Sequence, residues 1–559
     1  MSMGVSTRDL NRTPALEPLV YRGGEQPLFA YLRQHAKERP DAPAIYWYGR
    51  VISWRELDAW SDKLASFLYE LGVRQGDRVA LYLQNCPQYH IAHYAIQKIG
   101  AVVGPCSPMF KEWELAYEVA DLGAKVLVSS DLGYPVVSAV QKELAQHGRP
   151  LLDAVILTSY SDLLPAHPTL PLPEDLRFAP ARYPNTYDLL GILSDSSVPP
   201  TPPEPAVDLD DVALLVYTSG TTGKPKGAML TYRNALFKTA ASAAANGIAP
   251  DDVFLAVMPM FHIAGMLMAL NIPIYSGRPV VLLYRFDPET VLKAIEQYRC
   301  TWWYSTAPMN QAILDLPNLA SYDLRSLRNN LCTSFGTQVT EALADAWRRA
   351  TGGCALREAA YGLSETHTAD TFMPADRVKW GTVGLPVHDT EIRIVDLDTG
   401  AELPAGSVGE IVIRGPGVFK GYWRRPEATA QTLQDGWLHT GDMGSLDEDG
   451  YLTFHGRFKE MIKVSGYSVF PEDVEGMLIR HPAVAQAAVV GVPDAKKGQS
   501  VKAFVVLRPD VKRKPSAETL RRWARDKMAP YKVPKEIVFR DALPASGTGK
   551  VLRRLLLEE

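Results

Sequence analysis

From Ser53 to Ser130 the chain alternates between two apolar periods, and this restricts its fold more than any other feature. SWRELDAWSDKLASFLYELG, QYHIAHYAIQKIG and WELAYEVADLG carry apolar residues at helical spacing, while DRVALYL, AVVGPCSP and AKVLVSS read as strands between them. Strands separated by helices lie parallel, and the helices cover the sheet. A Pro-rich connector follows (Ser196 to Asp211), and a second helix–strand series fills residues 235 to 365. From about Thr382 to Phe454 the pattern changes to short β runs with Gly/Asp turns, such as GEIVIRG and DEDGYLTFHG. The last hundred or so residues read as a separate α/β lobe. With 559 residues the chain is too long for one core. The expected fold is therefore α/β: a large N-terminal domain, residues 1–457, of helix-covered, mostly parallel sheets plus a β subdomain, then a small α/β domain, residues 458–559.

The apolar run Val212 to Val216 feeds YTSGTTGKPKG, Tyr217 to Gly227, and GAMLTYRNALFKTAASAAA after it reads as the start of a helix. Glycines let backbone N–H groups approach a ligand, hydroxyls donate hydrogen bonds and lysines neutralise charge, a combination suited to polyphosphate. A Walker loop requires G-x-x-x-x-G-K-[ST]. Here Pro225 follows Gly223-Lys224 and Thr218 occupies the first glycine position. PASGTGKVL fails the same test, with Val551 after Gly549-Lys550, and GPGVFKG is one residue too long for a dinucleotide fingerprint. The loop is a phosphate loop of another kind.

A net charge of −4 with 22% charged residues argues against a nucleic-acid partner and against disorder. Five scattered cysteines without a C-x-x-C fit a reducing, cytoplasmic setting. The N-terminal MSMGVSTRDLNRTP has no signal-peptide pattern. Ile263 to Leu270, the longest clean run of the most apolar segment, falls far short of the roughly 20 residues that span a bilayer, so no transmembrane segment is expected. His90 and His93 could suggest a metal pair, but no third ligand is nearby and the flanking pattern is amphipathic, which favours packing. A homodimer is left open.

YTSGTTGKPKGAML, AAYGLSET, GWLHTGDMG, GRFKEMIKVSGYSVFPEDVE and PASGTGK match, in order and spacing, the signature stretches of the adenylate-forming (AMP-binding) superfamily. The resemblance covers roughly residues 30 to 555 and points to its acyl-CoA synthetase branch. It implies an enzyme that joins a carboxylic acid to ATP, giving an acyl-adenylate and pyrophosphate, and then passes the acyl group to the thiol of coenzyme A. By resemblance, Thr218, Ser219, Gly220, Thr221, Thr222, Gly223, Lys224 and Lys226 hold the β- and γ-phosphates. Tyr361 resembles the adenine-stacking aromatic, with Gly362 beside it, and Ser364 the α-phosphate hydroxyl, where the family usually has Thr. Glu365 resembles the Mg²⁺ ligand, Asp442 the ribose-binding carboxylate and Arg457 a second ribose contact. Lys550 resembles the lysine that bridges the acid's carboxylate and the α-phosphate. The family's small domain rotates about a hinge that matches Lys459. The stretch from Lys463 through Ser465 and Gly466 then swings in, with Gly466 leaving room for the pantetheine arm of coenzyme A.

For the acid, PMFHIAGM carries the family's aromatic–His pair, Phe261 and His262, where amino-acid-activating relatives have Asp. Met266, Trp303, Thr306, Phe335 and Gly336 are the further expected pocket residues. Their apolar character favours a medium- or long-chain fatty acid; the alternatives are an aryl acid of the cinnamate or benzoate type, or a non-catalytic nucleotide-binding relative. The family's usual S-G-G-A-P-L is CTSFGTQVT here, and Phe335 is placed to shorten or cover the pocket.

Overall fold

The computed structural model describes residues 18–218, 225–334, 338–464, 467–494, 498–509, 511, 513–528, 530–545 and 551–557. Two seven-stranded sheets form the large domain. One runs, in spatial order, Tyr187–Asp188, Ala154–Thr158, Val126–Ser130, Arg78–Tyr82, Val102–Pro105, Val212–Thr218 and Lys226–Thr231. Its pairings are parallel except the last, where Lys226–Thr231 returns antiparallel to Val212–Thr218. The other runs Ala355–Glu358, Asn329–Thr333, Trp302–Thr306, Phe254–Ala256, Val280–Leu282, Pro43–Trp47 and Arg50–Ser53, parallel except for the final hairpin.

The predicted helices form where their spacing placed them. Trp54–Glu70 begins at Ser53, whose hydroxyl accepts from Glu56 N while the Glu56 carboxylate accepts from Ser53 N, a reciprocal cap. Two readings are corrected. Pro87–Lys98 is buried at all 12 positions rather than amphipathic, because it lies in the core cluster that takes residues from both sheets. The residues after Pro225 first make the strand Lys226–Thr231, and the helix starts only at Tyr232. Pairing with an existing strand decides the conformation of a short apolar run that local pattern leaves ambiguous.

A five-stranded antiparallel sheet follows: Glu391–Val395, Gly409–Arg414, Leu433–Gln434, Trp437–Leu446 and Leu452–Arg457. The turn Phe458–Glu460 leads to the final sheet, in which Ile462–Val464, Tyr467–Val469, Val484–Asp494, Gly498–Leu507 and Glu536–Arg540 pair around a core of their own. Among the described residues no helix is long and apolar enough to cross a membrane. All five cysteines are buried and free.

Candidate active site

Thr218 and Lys226 face each other at the neck of the phosphate loop, the last pair of the hairpin. Ser219, Gly220, Thr221, Thr222, Gly223 and Lys224, at its tip, lie outside the described residues. The segment 420–423 runs along the free edge of Lys226–Thr231: Lys420 N donates to Met229 O, Met229 N to Gly421 O, and Trp423 N to Gly227 O. This ladder delivers Tyr422 to the neck. The Lys226 ammonium sits 4.1 Å from the Tyr422 ring centre, a cation–π distance, and the Tyr422 hydroxyl donates to Glu365 Oε1 at 2.7 Å. Burial, with Glu365 next in effect, holds the Tyr422 hydroxyl well above its usual range, so it stays a donor. Tyr422 escaped the sequence reading because its neighbours arrive from segments some 200 and 60 residues away.

Glu365 and Ser364 lie on the short 3₁₀ turn Ser364–Thr366. Directly after it His367, Thr368 and Ala369 all hold left-handed backbone, φ 56°, 61° and 50°. Such residues normally occur singly, and strain of this kind gathers at functional sites. The turn folds so tightly onto Gly362 that a Cβ there would stand 2.3 Å from Ala369 N. Thr366 donates to Asp370, which forms a fully buried ion pair with Lys238. Burial raises the Asp370 carboxyl and lowers the Lys238 ammonium, while their mutual attraction opposes both shifts.

Tyr361 is buried beside Phe454, ring centres 5.7 Å apart, and its hydroxyl donates to Asp442 Oδ2 at 2.8 Å. Asp442 faces Arg457 across the antiparallel pair Trp437–Leu446 and Leu452–Arg457, with Arg457 Nε 3.4 Å from Oδ1. Burial first, then Asp442, pushes the Tyr361 hydroxyl far above its ordinary value. The structure thus joins the T-G-D and G-R motifs to Y-G-L-S-E.

His262 caps the helix Ile263–Met266, its Nδ1 accepting from Ala264 N at 3.3 Å, and Phe261 and Met266 are buried. The helical run continues to Ser276 through a π turn, Leu267–Asn271. A cavity of about 10 Å³ adjoins it, lined by Met258, Gly265, Met268, Trp302 and Tyr304 among others. Trp303 is not brought there. Side chains alternate along Trp302–Thr306, so Trp302 and Tyr304 face the cavity while Trp303 packs against Trp347 on the opposite face, ring centres 5.6 Å apart. Thr306 is buried at the end of that strand. Phe335 and Gly336 lie outside the described residues, but Ser334 before them donates to Glu358, a buried carboxyl pushed up to about 7 by desolvation. Lys459 is exposed on the turn Phe458–Glu460, and Lys463 is exposed on Ile462–Val464 with its backbone N donating to Gln499. Ser465, Gly466 and Lys550 lie outside the described residues.

A metal would have few protein ligands here: among the described residues no group of three or more His, Cys, Asp or Glu could hold one. A lone carboxylate such as Glu365 still fits Mg²⁺ that arrives with phosphate oxygens filling its shell.

The sequence model of the family described as AMP-binding enzyme matches residues 32–423, and that of the AMP-binding enzyme C-terminal domain matches 473–550. The chain is 35% identical to a long-chain-fatty-acid–CoA ligase of Bacillus subtilis, over 95% of this chain and 94% of that protein. It is 36% identical to a feruloyl-CoA synthase of an Amycolatopsis species, over 93% and 96%. In three dimensions it resembles ATP-bound MatB from Rhodopseudomonas palustris, with a TM-score of 0.81 and 28% identity over 95% of this chain and 98% of that one. With the phosphate-loop neck, the S-E turn and the Tyr361–Asp442–Arg457 cluster gathered in one place, the chain belongs to the adenylate-forming, AMP-binding enzyme family, as one of its acid–CoA ligases.

Proposed function

We propose that this ATP-dependent acid–CoA ligase acts on a medium- or long-chain fatty acid, in a site divided between residues 1–457 and 458–559. The carboxylate oxygen attacks the α-phosphorus of ATP, forming the acyl–phosphate bond and releasing pyrophosphate. The thiol of coenzyme A then attacks the acyl carbon and AMP departs, the thiol proton passing to solvent.

The observation that carries the nucleotide assignment is the pairing of Tyr361 with Asp442 and of Asp442 with Arg457. Asp442 is a short, buried acceptor for ribose hydroxyls, and Tyr361 and Phe454 offer aromatic surface beside it. Thr218 and Lys226 meet the outer phosphates, with Ser219 to Lys224 closing over them, and Ser364 meets the α-phosphate. Mg²⁺ bound at Glu365 would neutralise phosphate charge, and Tyr422 fixes the direction in which that carboxylate points. Lys550 supplies the charge between acid and α-phosphate. Lys459 is the hinge that brings Lys463 and the 465–466 stretch to the thiol step.

The fatty acid is supported by the Bacillus relative and by the methionines at the cavity, whose unbranched side chains can move aside for an alkyl tail. At about 10 Å³ the cavity holds no more than a water, so a long tail must displace Met258 or Met268. Trp302 and Tyr304 favour a second reading, an aryl acid stacked between rings, in line with the feruloyl-CoA synthase relative. Pyrophosphate release with ATP and Mg²⁺, measured across acetate, octanoate, palmitate, benzoate and 4-coumarate with and without coenzyme A, tests both. Release peaking at an aliphatic acid supports the first reading, and a peak at 4-coumarate the second. Silence with every acid would overturn both.

A further inference from the structure

Arg553 is the centre of a charge cluster whose three carboxylates lie in the stretch GRFKEMIKVSGYSVFPEDVE, without any role assigned to them so far. Its Nε and Nη2 make a forked pair with Glu475, at 3.1 and 2.8 Å, Nη2 also lies 2.8 Å from Glu472, and Nη1 donates to Glu460. One guanidinium thus holds three carboxylates, and all four side chains are at most a quarter exposed. Such forked, charge-assisted contacts fix geometry as well as contributing energy.

The partners come from places that matter for movement. Glu460 follows Lys459 on the turn Phe458–Glu460, where the large domain's last strand ends. Glu472 and Glu475 lie on the helix Pro471–Ile479 of the small domain. Glu472 packs against Gly456, on the large-domain side of that turn, so closely that a Cβ there would stand 2.1 Å from its Oε2. His455 beside it faces Asp473 at 3.7 Å. Arg553 itself follows the antiparallel Ala545–Val551 bridge, beside which Leu552 N donates to Pro544 O at 2.8 Å. Lys550 directly precedes Val551 in the sequence. One side chain therefore links the 544–552 pairing next to Lys550 in sequence, the turn Phe458–Glu460 and the helix that packs against Gly456.

We propose that Arg553 is a positioning residue for the first half-reaction: by clamping Glu460, Glu472 and Glu475 it fixes the Ala545–Val551 bridge, next to which Lys550 stands in the sequence, relative to the turn that carries Lys459. This rests on the assignment of Lys550 and Lys459 made above. The helix Arg553–Leu557 has a second anchor, Leu556, which packs with Ala488, Val490 and Phe504, so loosening the clamp need not detach it.

Glu460→Gln and Arg553→Lys test this in the full-length enzyme. Glu460→Gln removes one of three carboxylates and leaves the Glu475 fork in place; Arg553→Lys keeps the charge and loses the fork. ATP–pyrophosphate exchange reads the first half-reaction, and thioester formation from supplied acyl-adenylate and coenzyme A reads the second. Each variant is expected to slow exchange about tenfold or more, through kcat rather than the KM for ATP. Thioester formation should stay within about twofold, since Lys550 is assigned no part in that step. The double variant is expected to fall no further than the worse single one, as residues acting through one contact do. Equal loss of both half-reactions in Glu460→Gln, or no change in either variant while Lys550→Ala abolishes exchange, would overturn the clamp alone. Full exchange in Lys550→Ala would overturn the assignment beneath it and the clamp with it.

Discussion

The Lys226 ammonium lies 4.1 Å from the centre of the Tyr422 ring, so the cation at the neck of the phosphate loop rests on an aromatic face rather than on a carboxylate. A carboxylate at that place would cancel the charge that a polyphosphate needs. A ring holds the ammonium in position and leaves its charge available.

Tyr422→Phe keeps the ring under Lys226 and removes the hydrogen bond to Glu365. Adenylation is expected to fall about 10- to 100-fold, the effect of losing a hydrogen bond to a charged group, about 1.5–3 kcal/mol. Tyr422→Ala should fall further, because the cation loses its support as well. Initial rates of pyrophosphate release over a Mg²⁺ series check both, and an unchanged Mg²⁺ requirement in Tyr422→Phe would separate the hydroxyl from the role given to Glu365.

Lys550→Ala is expected to lose about 10²–10³ in adenylation, the effect of one preorganised donor at the developing charge. Conversion of supplied acyl-adenylate to thioester should survive. Single-turnover measurement of the two steps decides it: equal loss in both would remove Lys550 from its assigned role.

Lys238→Met leaves Asp370 buried without its partner, which costs about 3–5 kcal/mol. The left-handed run 367–369 sits between that pair and Glu365, so nucleotide binding should weaken together with stability. Lys238→Met/Asp370→Leu is expected to recover much of the stability, as read by urea unfolding, but not the ATP affinity.

Glu118 makes stability depend on pH in an uncommon direction. Desolvation pushes its carboxyl up to about 8, from an ordinary 4.5. Between those values the folded chain holds a proton that the unfolded chain has released. The stabilisation is therefore complete below about 4.5 and is lost as pH rises, at about 1.4 kcal/mol per unit, until the folded group itself ionises near 8. Glu118→Gln has no proton to lose, so thermal unfolding from pH 5 to 9 should show a shallower decline than in the parent chain. Identical slopes would mean that Glu118 is ionised in the fold.

Contiguous motifs made much of this site legible. Tyr361 and Glu365 are read from one stretch because the 3₁₀ turn that carries Glu365 begins three residues after Tyr361. Asp442 is read from its motif, but its contact with Tyr361 spans 81 positions and needed the fold. Tyr422 and Glu358 were invisible for the same reason. Trp303 is selected by residue type alone: the period of a strand assigns Trp302 and Trp303 to opposite faces, and only the packed sheets decide which face adjoins the cavity. Composition likewise could not reveal that Pro87–Lys98 has no solvent side.

The pairing of Ile45 with Val280 sets a timetable for synthesis. Among the described strands the first to leave a ribosome is Pro43–Trp47, and its parallel neighbour Val280–Leu282 is the eleventh of the fourteen in the two seven-stranded sheets. The sheet built from residues 78–231 can assemble first, but the face of Pro87–Lys98 turned away from the helix Trp54–Glu70, where His90 meets Ala269 O, then stays uncovered until the chain beyond Phe254 is translated. Nascent chains that stop short of about Leu282 expose that face and the open edge of Pro43–Trp47 together, the kind of surface for which holdase chaperones compete with aggregation.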